Sequence, residues 1–424
     1  MQLSVYIKAL ANPKCRAAAW DAHKKLSQDQ SYSLLKTVSA LWNFLRYEKV
    51  IEFNGSFIVN TFFPPFPGLS FSQIMKGFSK KESEIFQSLK KGKRIAPISC
   101  YIALTNTCPY HCWHCSAAHR KNSKDMPKSS VIKIVKELQS MGTPIIGFTG
   151  GEPLLRNDLE EILSSIDNRS TTLVFSNGYN LTEKRARSLK KAGLFGIGIS
   201  LDSYDSEAHD IKRGHKGSFE KAIESMKISI KAGLFTMIQL VASKDLLKDD
   251  GLQKILEIGE SIGVNEIRIL EPIPSGKLIN ASKDIFLTRD ERQQIIDFHK
   301  KANSKDYLPI VSTFAQFESK EEFGCSAGVY HCYIDASGNL YPCDFVPLSF
   351  GNTLEQPVEK IWKLMNDALG KQPKSACFAQ EHHDDFLQST IDNTFPLSPD
   401  NSLKICDKCC SGKNFLPGFF RRLQ

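Results

Sequence analysis

From about residue 98 to residue 305 the chain repeats one pattern: a short run rich in β-branched and aromatic residues, then a stretch with apolar residues at helical spacing. ISCYIALT precedes SSVIKIVKELQSM, PIIGFTG precedes DLEEILSSI, and TTLVFSNG precedes EKRARSLKKAG. FGIGISLD then precedes FEKAIESMKISIKAG, FTMIQLVA precedes LQKILEIGESIG, and NEIRILEP follows. Strands joined through helices run parallel, so these runs predict a parallel α/β sheet, either curled into a barrel or open and doubly wound. In both forms the ligand gathers at the C-terminal strand ends. Those ends read TNTC, TGGEP, SNG and SLDS, which are polar or glycine-rich and should converge on one pocket.

The flanks differ from this rhythm. At 424 residues the chain exceeds one usual hydrophobic core, and three units are expected, with boundaries at 1–95, 96–305 and 306–424. The first is mainly helical (SVYIKAL, LLKTVSALWNFL) with a hairpin, VIEFNGSFIVNTFF, turning at Asn54-Gly55 before the breaker PPFPG. The third is Cys-rich, with short β runs such as HCYIDASGNLYPCDF.

No apolar run is long enough for a membrane span, and the N-terminal stretch is too broken by charge and Pro13 for a signal peptide, so a cytoplasmic location is expected. A reducing compartment makes the twelve cysteines candidates for metal binding rather than disulfides. The net charge of +9 is dispersed among acidic residues, which argues against nucleic acid as a partner. The tail KNFLPGFFRRLQ places aromatics beside two arginines. It suits either peripheral membrane contact or packing of its phenylalanines on the domain.

Cys108, Cys112 and Cys115 follow the first strand directly, on a loop at the mouth of the sheet. Three thiolates leave an iron–sulfur cube one iron with an open position; alternatively His111, His114 or His119 completes a zinc site. CPYHCWHC resembles the CxxxCxxC signature of the radical S-adenosylmethionine (SAM) superfamily. The resemblance implies a partial (βα)6 TIM-like barrel. It also implies a [4Fe-4S] cluster whose free iron chelates SAM, and reductive cleavage to a 5′-deoxyadenosyl radical that abstracts hydrogen from a substrate. An electron donor of flavodoxin or ferredoxin type would be required.

Within the same resemblance, Gly150-Gly151-Glu152-Pro153 looks like the family's GGEP motif, which meets the SAM amino group. Ser176 and Asn177 end the third strand and Ser200 and Asp202 the fourth, where relatives place polar groups against the SAM carboxylate and ribose. Arg213 matches an arginine that pairs with the carboxylate, and Leu270 falls where sixth-strand backbone meets adenine. No residue is singled out as catalytic.

Cys325, twelve residues, Gly338, four residues and Cys343, followed by FGNTLEQPVEKIW, resembles the opening of SPASM domains, which carry auxiliary [4Fe-4S] clusters. The dense later run of cysteines in that pattern is missing, which favours a shortened, twitch-type version. One auxiliary cluster on Cys325, Cys343, Cys406 and Cys409 is therefore expected, with structural zinc on the same thiols as the competing reading. Cys332 reads as a small hydrophobe in a strand, and Cys410 as unable to share a cluster with Cys409. The charged run His382, His383, Asp384 and Asp385 reads as a solvated loop without a role.

Such enzymes modify peptides, sugars or lipids. A peptide substrate, as in RiPP-type maturation, is the leading expectation, since a hairpin edge in the N-terminal unit can accept an added strand. The alternative is a lipid or isoprenoid-like substrate, suggested by NTFFPPFPG and the basic tail. A non-catalytic iron–sulfur or zinc protein is the third reading.

Overall fold

The alternating runs fold as one sheet of nine strands, flanked by helices, in a computed structural model that describes residues 3–118, 124–305, 309–370, 373–389, 395–410 and 415–424. Strands β1 (Ile51–Phe53) and β2 (Ser56–Ile58) make a separate hairpin. The sheet takes β3 (Ser99–Thr105), β4 (Ile145–Gly150), β5 (Thr171–Ser176), β6 (Gly196–Ser200), β7 (Phe235–Val241), β8 (Glu266–Leu270) and β9 (Ile310–Thr313) in sequence order, all parallel. On the far side of β3 lie β10 (His331–Ile334), also parallel, and β11 (Leu340–Tyr341), antiparallel to β10. The two edge strands, β9 and β11, do not pair with each other, so the barrel is partial.

This sheet crosses the expected boundary near Lys305. β9 adds a seventh strand to the series, and β10–β11 returns to the opposite edge. The sequence rhythm hid both because β9 and β10 are four residues each and are separated by the short helix Phe314–Phe317 instead of an amphipathic one.

Strand alternation divides the side chains between two environments. Ile102, Phe148, Val174, Ile197, Ile238 and Ile267 point outward and join helix residues such as Val135, Leu138, Ile162 and Leu189 in the main core. Tyr101, Leu173, Phe175, Phe235, Met237 and Ile310 form a second cluster inside the barrel, toward the strand N-termini. Two glycines make room for it: a Cβ on Gly147 would lie 2.5 Å from the Tyr101 ring, and one on Gly198 2.9 Å from that of Phe175.

The N-terminal hairpin closes this lower end. Asn54 and Gly55 both take positive φ, 49° and 75°, as a two-residue hairpin turn requires. Phe53 packs edge-on against Phe195 and Phe235, while Ile58 joins the interior cluster. Beyond it, Thr61 donates its hydroxyl to Glu266 at 2.8 Å, Ser312 donates to the other Glu266 oxygen at 2.5 Å, and Arg268 donates to the Tyr101 hydroxyl at 3.0 Å. The Arg268 guanidinium also lies over Phe62 and Phe175. The outer side of β2 is taken by Phe66, whose amide donates to Phe57 and whose carbonyl accepts from it. This hairpin floors the barrel, and β2 offers no free edge to a peptide strand.

The tail is likewise structural. Phe419, Phe420 and Leu423 are buried with Phe44 and Tyr330, and Arg422 pairs with Glu322 at 2.8 Å. Exposed apolar side chains are found instead on the helix Leu34–Leu45, where Leu35, Val38 and Trp42 face solvent, and at scattered positions such as Leu10, Trp20 and Ile211. No helix among the described residues is long and apolar enough to cross a membrane.

Candidate functional site at the barrel mouth

The segment carrying Cys108, Cys112 and Cys115 leaves β3 and crosses the C-terminal ends of the strands, held by backbone from both sides. On one side Gly151 donates its amide to the Thr105 carbonyl at 2.6 Å and Glu152 to that of Thr107 at 2.8 Å. A Cβ on Gly151 would lie 2.1 Å from the Thr107 oxygen, and one on Gly150, at φ 129°, 2.4 Å from the Thr105 oxygen. The two glycines of GGEP are therefore required by the neighbouring loop before any ligand is considered.

On the other side, His111 and Trp113 donate their amides to the carbonyls of Arg213 and Lys212 at 3.0 and 2.9 Å. The turn after β8 completes the clamp: the Lys277 amide donates to the Cys115 carbonyl at 3.0 Å and its ammonium to the His111 carbonyl at 2.9 Å. Gly276, at φ 58°, leaves no room for a Cβ, which would lie 2.1 Å from the Cys115 oxygen. Sequence reasoning missed Gly276 and Lys277, since PSGK reads only as a turn.

Two charged or polar side chains approach the sulfurs. The Asn177 amide nitrogen lies 3.6 Å from Cys108 Sγ, and the Arg213 guanidinium 3.7 Å from Cys112 Sγ. Cys108 Sγ also accepts the Tyr110 N–H. Burial pushes the Cys108 thiol up to about 12 and raises that of Cys112.

Arg213 is buried at 6% exposure and pairs with the fully buried Asp202 at 2.8 Å. Burial alone would raise the Asp202 carboxyl, but the Arg213 guanidinium and the Val241 amide outweigh it and hold it below its ordinary value. Asp202 also accepts the Val241 amide at 3.0 Å and donates its own amide to His209. The pair thus joins two residues that the sequence reading had assigned separately to SAM groups. Burial holds His114 near 4, so its imidazole is neutral; its Nδ1 lies 3.7 Å from Asp202.

Glu152 is fully buried, and its carboxylate accepts from the Leu154 amide, the Ser176 hydroxyl and the Asn177 amide at 2.9, 2.7 and 2.8 Å. It ties the end of β4 to the end of β5. Burial raises its pKa to about 7 despite these donors. Ser200 ends β6 beside Gln239 of β7, and the Leu270 carbonyl at the end of β8 accepts the Ala242 amide at 2.9 Å.

The zinc alternative has no support in the donor geometry. A single zinc draws its donors to about 2.3 Å, hence to within about 4 Å of one another. Among the described residues, ligand atoms gather within 4.8 Å only at His331–Cys343–Asp344 and His382–Asp385–Cys409, neither of which includes a thiol of the mouth loop. His119 lies outside the described residues.

The second group of cysteines is spread over several segments of the chain. Cys325 and Cys343 lie close together beside Glu318, and Cys377 lies near the same carboxyl. Cys406 shares a hydrogen bond with Cys410, whereas Cys409 turns away to donate to Asp385 at 3.5 Å. Asp385 in turn pairs with His382 and Lys408, so the charged run has a local structural part to play. Cys332 sits fully buried in β10 opposite Cys100.

A partial parallel barrel with three thiols clamped across its mouth defines a class, and comparison with known proteins agrees with it. Residues 102–268 match the radical SAM superfamily and residues 325–409 the SPASM iron-sulfur cluster-binding domain. The GTP 3′,8-cyclase of Helicobacter pylori is 30% identical over 51% of this chain and 70% of its own. The AdoMet-dependent heme synthase of Methanosarcina barkeri is 25% identical over 61% and 80%, and the mycofactocin maturase MftC of Mycolicibacterium smegmatis 26% over 68% and 76%. Among solved structures, Streptococcus suis SuiB bound to S-adenosylmethionine superposes with a TM-score of 0.54 at 16% identity, covering 66% of this chain and 68% of that one. The chain belongs to the radical SAM superfamily and is an enzyme with a C-terminal SPASM domain. Its cofactors are a [4Fe-4S] cluster, SAM and auxiliary iron–sulfur.

Proposed function

We propose that Cys108, Cys112 and Cys115 hold the SAM-binding cluster and that the enzyme uses it to modify a peptide. The observation that carries the first part is the donor set around the sulfurs: one backbone amide, one carboxamide and one guanidinium are directed at two of the three thiols. Such donors stabilise thiolates bound to iron. When bound, the cluster supplies the electron that cleaves SAM and starts hydrogen abstraction. The protein's part is position: Gly150, Gly151, Gly276 and Lys277 fix the loop, and Glu152 sets Ser176 and Asn177 at the rim. Ser200 and Leu270 line the remaining strand ends, and the Asp202–Arg213 pair braces the wall behind Cys112.

The peptide reading is supported by relatives: MftC is a maturase, the Bacillus subtilis SkfB is a sporulation killing factor maturation protein, and SuiB has been solved bound to a precursor peptide. A tetrapyrrole is the second reading, favoured by heme synthases 25–27% identical to this chain. The lipid reading has lost its main sequence support, because the Phe-rich tail is buried.

Anaerobically reconstituted protein with SAM and dithionite should release 5′-deoxyadenosine, and a reduced flavodoxin or ferredoxin should replace dithionite. Iron-loaded protein that leaves SAM intact would refute the enzyme assignment of the three thiols. For the substrate, peptides encoded beside the gene and iron-coproporphyrin are offered in parallel and followed by mass spectrometry; turnover of the porphyrin alone would overturn the peptide reading.

A further inference from the structure

The helix Leu34–Leu45 is apolar on two sides, and only one of them is covered. Ala40 and Phe44 are buried together with Phe419, Phe420 and Leu423 of the tail, which fixes the helix on the body of the protein. At 3.6 residues per turn, Leu34, Leu35, Val38, Leu41 and Trp42 then fall within one arc of about 120° turned away from that contact. Each of the five is at least 44% exposed, and Leu35 is 83% exposed. Single exposed leucines are ordinary on a protein surface, but an unbroken stripe of them marks a contact surface. Trp20, 58% exposed on the helix Pro13–Ser27, extends the stripe: its ring lies 5.4 Å from that of His23, and His23 lies 5.6 Å from Tyr32, two residues before Leu34.

The charged residues of this stretch are nearly all basic. Lys8, Lys14, Arg16, Lys24, Lys25, Lys36 and Arg46 all reach solvent, whereas Asp29 is buried, which leaves Asp21 as the exposed acidic residue between positions 3 and 46. Residues 3–46 thus contribute +5 of the chain's net charge of +9. Lys36 sits on the helix that carries the stripe, Lys24 lies over the Trp20 ring at 5.7 Å, and Arg46 follows the last helical turn. Surface pairs engage Lys8 with Glu52 and Lys25 with Asp21, and Lys36 donates to the Gln424 carbonyl.

A protein partner fits this combination poorly, because lysine is depleted at protein interfaces. A second copy of this chain would set the cations against their own kind. An anionic bilayer suits it: leucine and valine enter the acyl boundary, tryptophan settles at headgroup level, and lysine and arginine meet the lipid phosphates. Trp20 and Trp42 are two of the chain's four tryptophans, and both are more than half exposed. We propose that the outward stripe of the helix Leu34–Leu45, with Trp20 and the neighbouring basic residues, docks this enzyme on the surface of an anionic membrane. Docking here uses no residue of the barrel mouth and holds for a peptide or a tetrapyrrole substrate alike.

The test is co-sedimentation of the full-length protein with vesicles of phosphatidylcholine, alone or mixed with phosphatidylglycerol. The parent chain should bind the mixed vesicles at least about tenfold more tightly than phosphatidylcholine alone, and added salt should release it. Leu35→Glu combined with Trp42→Glu should lower binding to the mixed vesicles at least about tenfold. Lys14→Gln combined with Lys24→Gln should weaken the same binding by a smaller factor, because the apolar stripe remains. Leu364→Glu, on the helix Val358–Ala368 and 42% exposed, should bind as the parent does. Circular dichroism and melting show that each variant is folded. A parent chain that stays in solution beside mixed vesicles, or a Leu35→Glu, Trp42→Glu chain that binds them as the parent does, overturns the proposal. So does self-association without lipid that the same double substitution abolishes, which would give the stripe to a second copy.

Discussion

The thiols at the barrel mouth come from eight consecutive residues, 108 to 115, on one loop clamped by the turn after β4, the helix end at Arg213 and the turn after β8. Those of the C-terminal region come from separate segments, around Cys325, Cys343, Cys377 and Cys406, with the β10–β11 hairpin between Cys325 and Cys343 and the Cys325 backbone paired with Lys374. In the first site chain connectivity alone keeps the sulfurs near one another, and the fold has only to orient them. In the second the fold must first create the proximity. Spacing along the chain therefore constrains the first site more tightly than the second, where the Cys409 thiol donates to Asp385.

The largest test of this contrast is Cys112→Ala. It should abolish 5′-deoxyadenosine formation, a loss of at least about 10³-fold, because no residue nearby replaces a cluster ligand. Iron in the C-terminal region should remain at about four per chain. Loss of all iron would show that the two sites are not independent.

Arg213→Ala comes next. It strands the fully buried Asp202 without its partner, which costs about 3–5 kcal/mol, read as a lower denaturation midpoint. Arg213→Lys should recover part of this, since it keeps the charge but not the reach of the fork to both Asp202 and Cys112.

Glu152 gives a pH signature confined to the mouth. Burial raises its carboxyl to about 7, above the ordinary value, so the folded form binds the proton more tightly than the unfolded one. Stability from this group is complete below about pH 4.5 and is lost as pH rises through about 7, by about 2.5 kcal/mol between pH 5 and 8. Denaturant melts of the iron-free Glu152→Gln protein should show that slope flattened, on top of a pH-independent loss from the misplaced amide opposite the Asn177 N–H. A slope equal to that of the parent would show that Glu152 titrates normally.

Gly276→Ala should cost about 1–2 kcal/mol through its positive φ and the close Cys115 carbonyl, and should weaken SAM binding without changing the C-terminal iron. The smallest effect is expected at Leu35→Ser on the solvent-facing side of the helix Leu34–Leu45, within about 0.5 kcal/mol, because Leu35 is 83% exposed.

What the sequence determined by itself is whatever neighbours along the chain can specify. The six parallel strands from β3 to β8 were legible because each follows a helix of matching period, and the Asn54-Gly55 turn because few residues tolerate positive φ. The mouth thiols were legible because three cysteines in eight residues cannot separate. The tertiary structure alone decided what depends on partners distant in sequence. It set Asp202 on Arg213, made Glu152 a tie between two strands and paired the Cys325 backbone with Lys374. It also added β9 and β10 to opposite edges of the sheet and buried a tail whose aromatic and basic composition suits a bilayer equally well. The physical reason is the same in each case. Burial and buried hydrogen bonding are satisfied by whichever groups the sheet register brings into contact, and short spacings carry no record of that register.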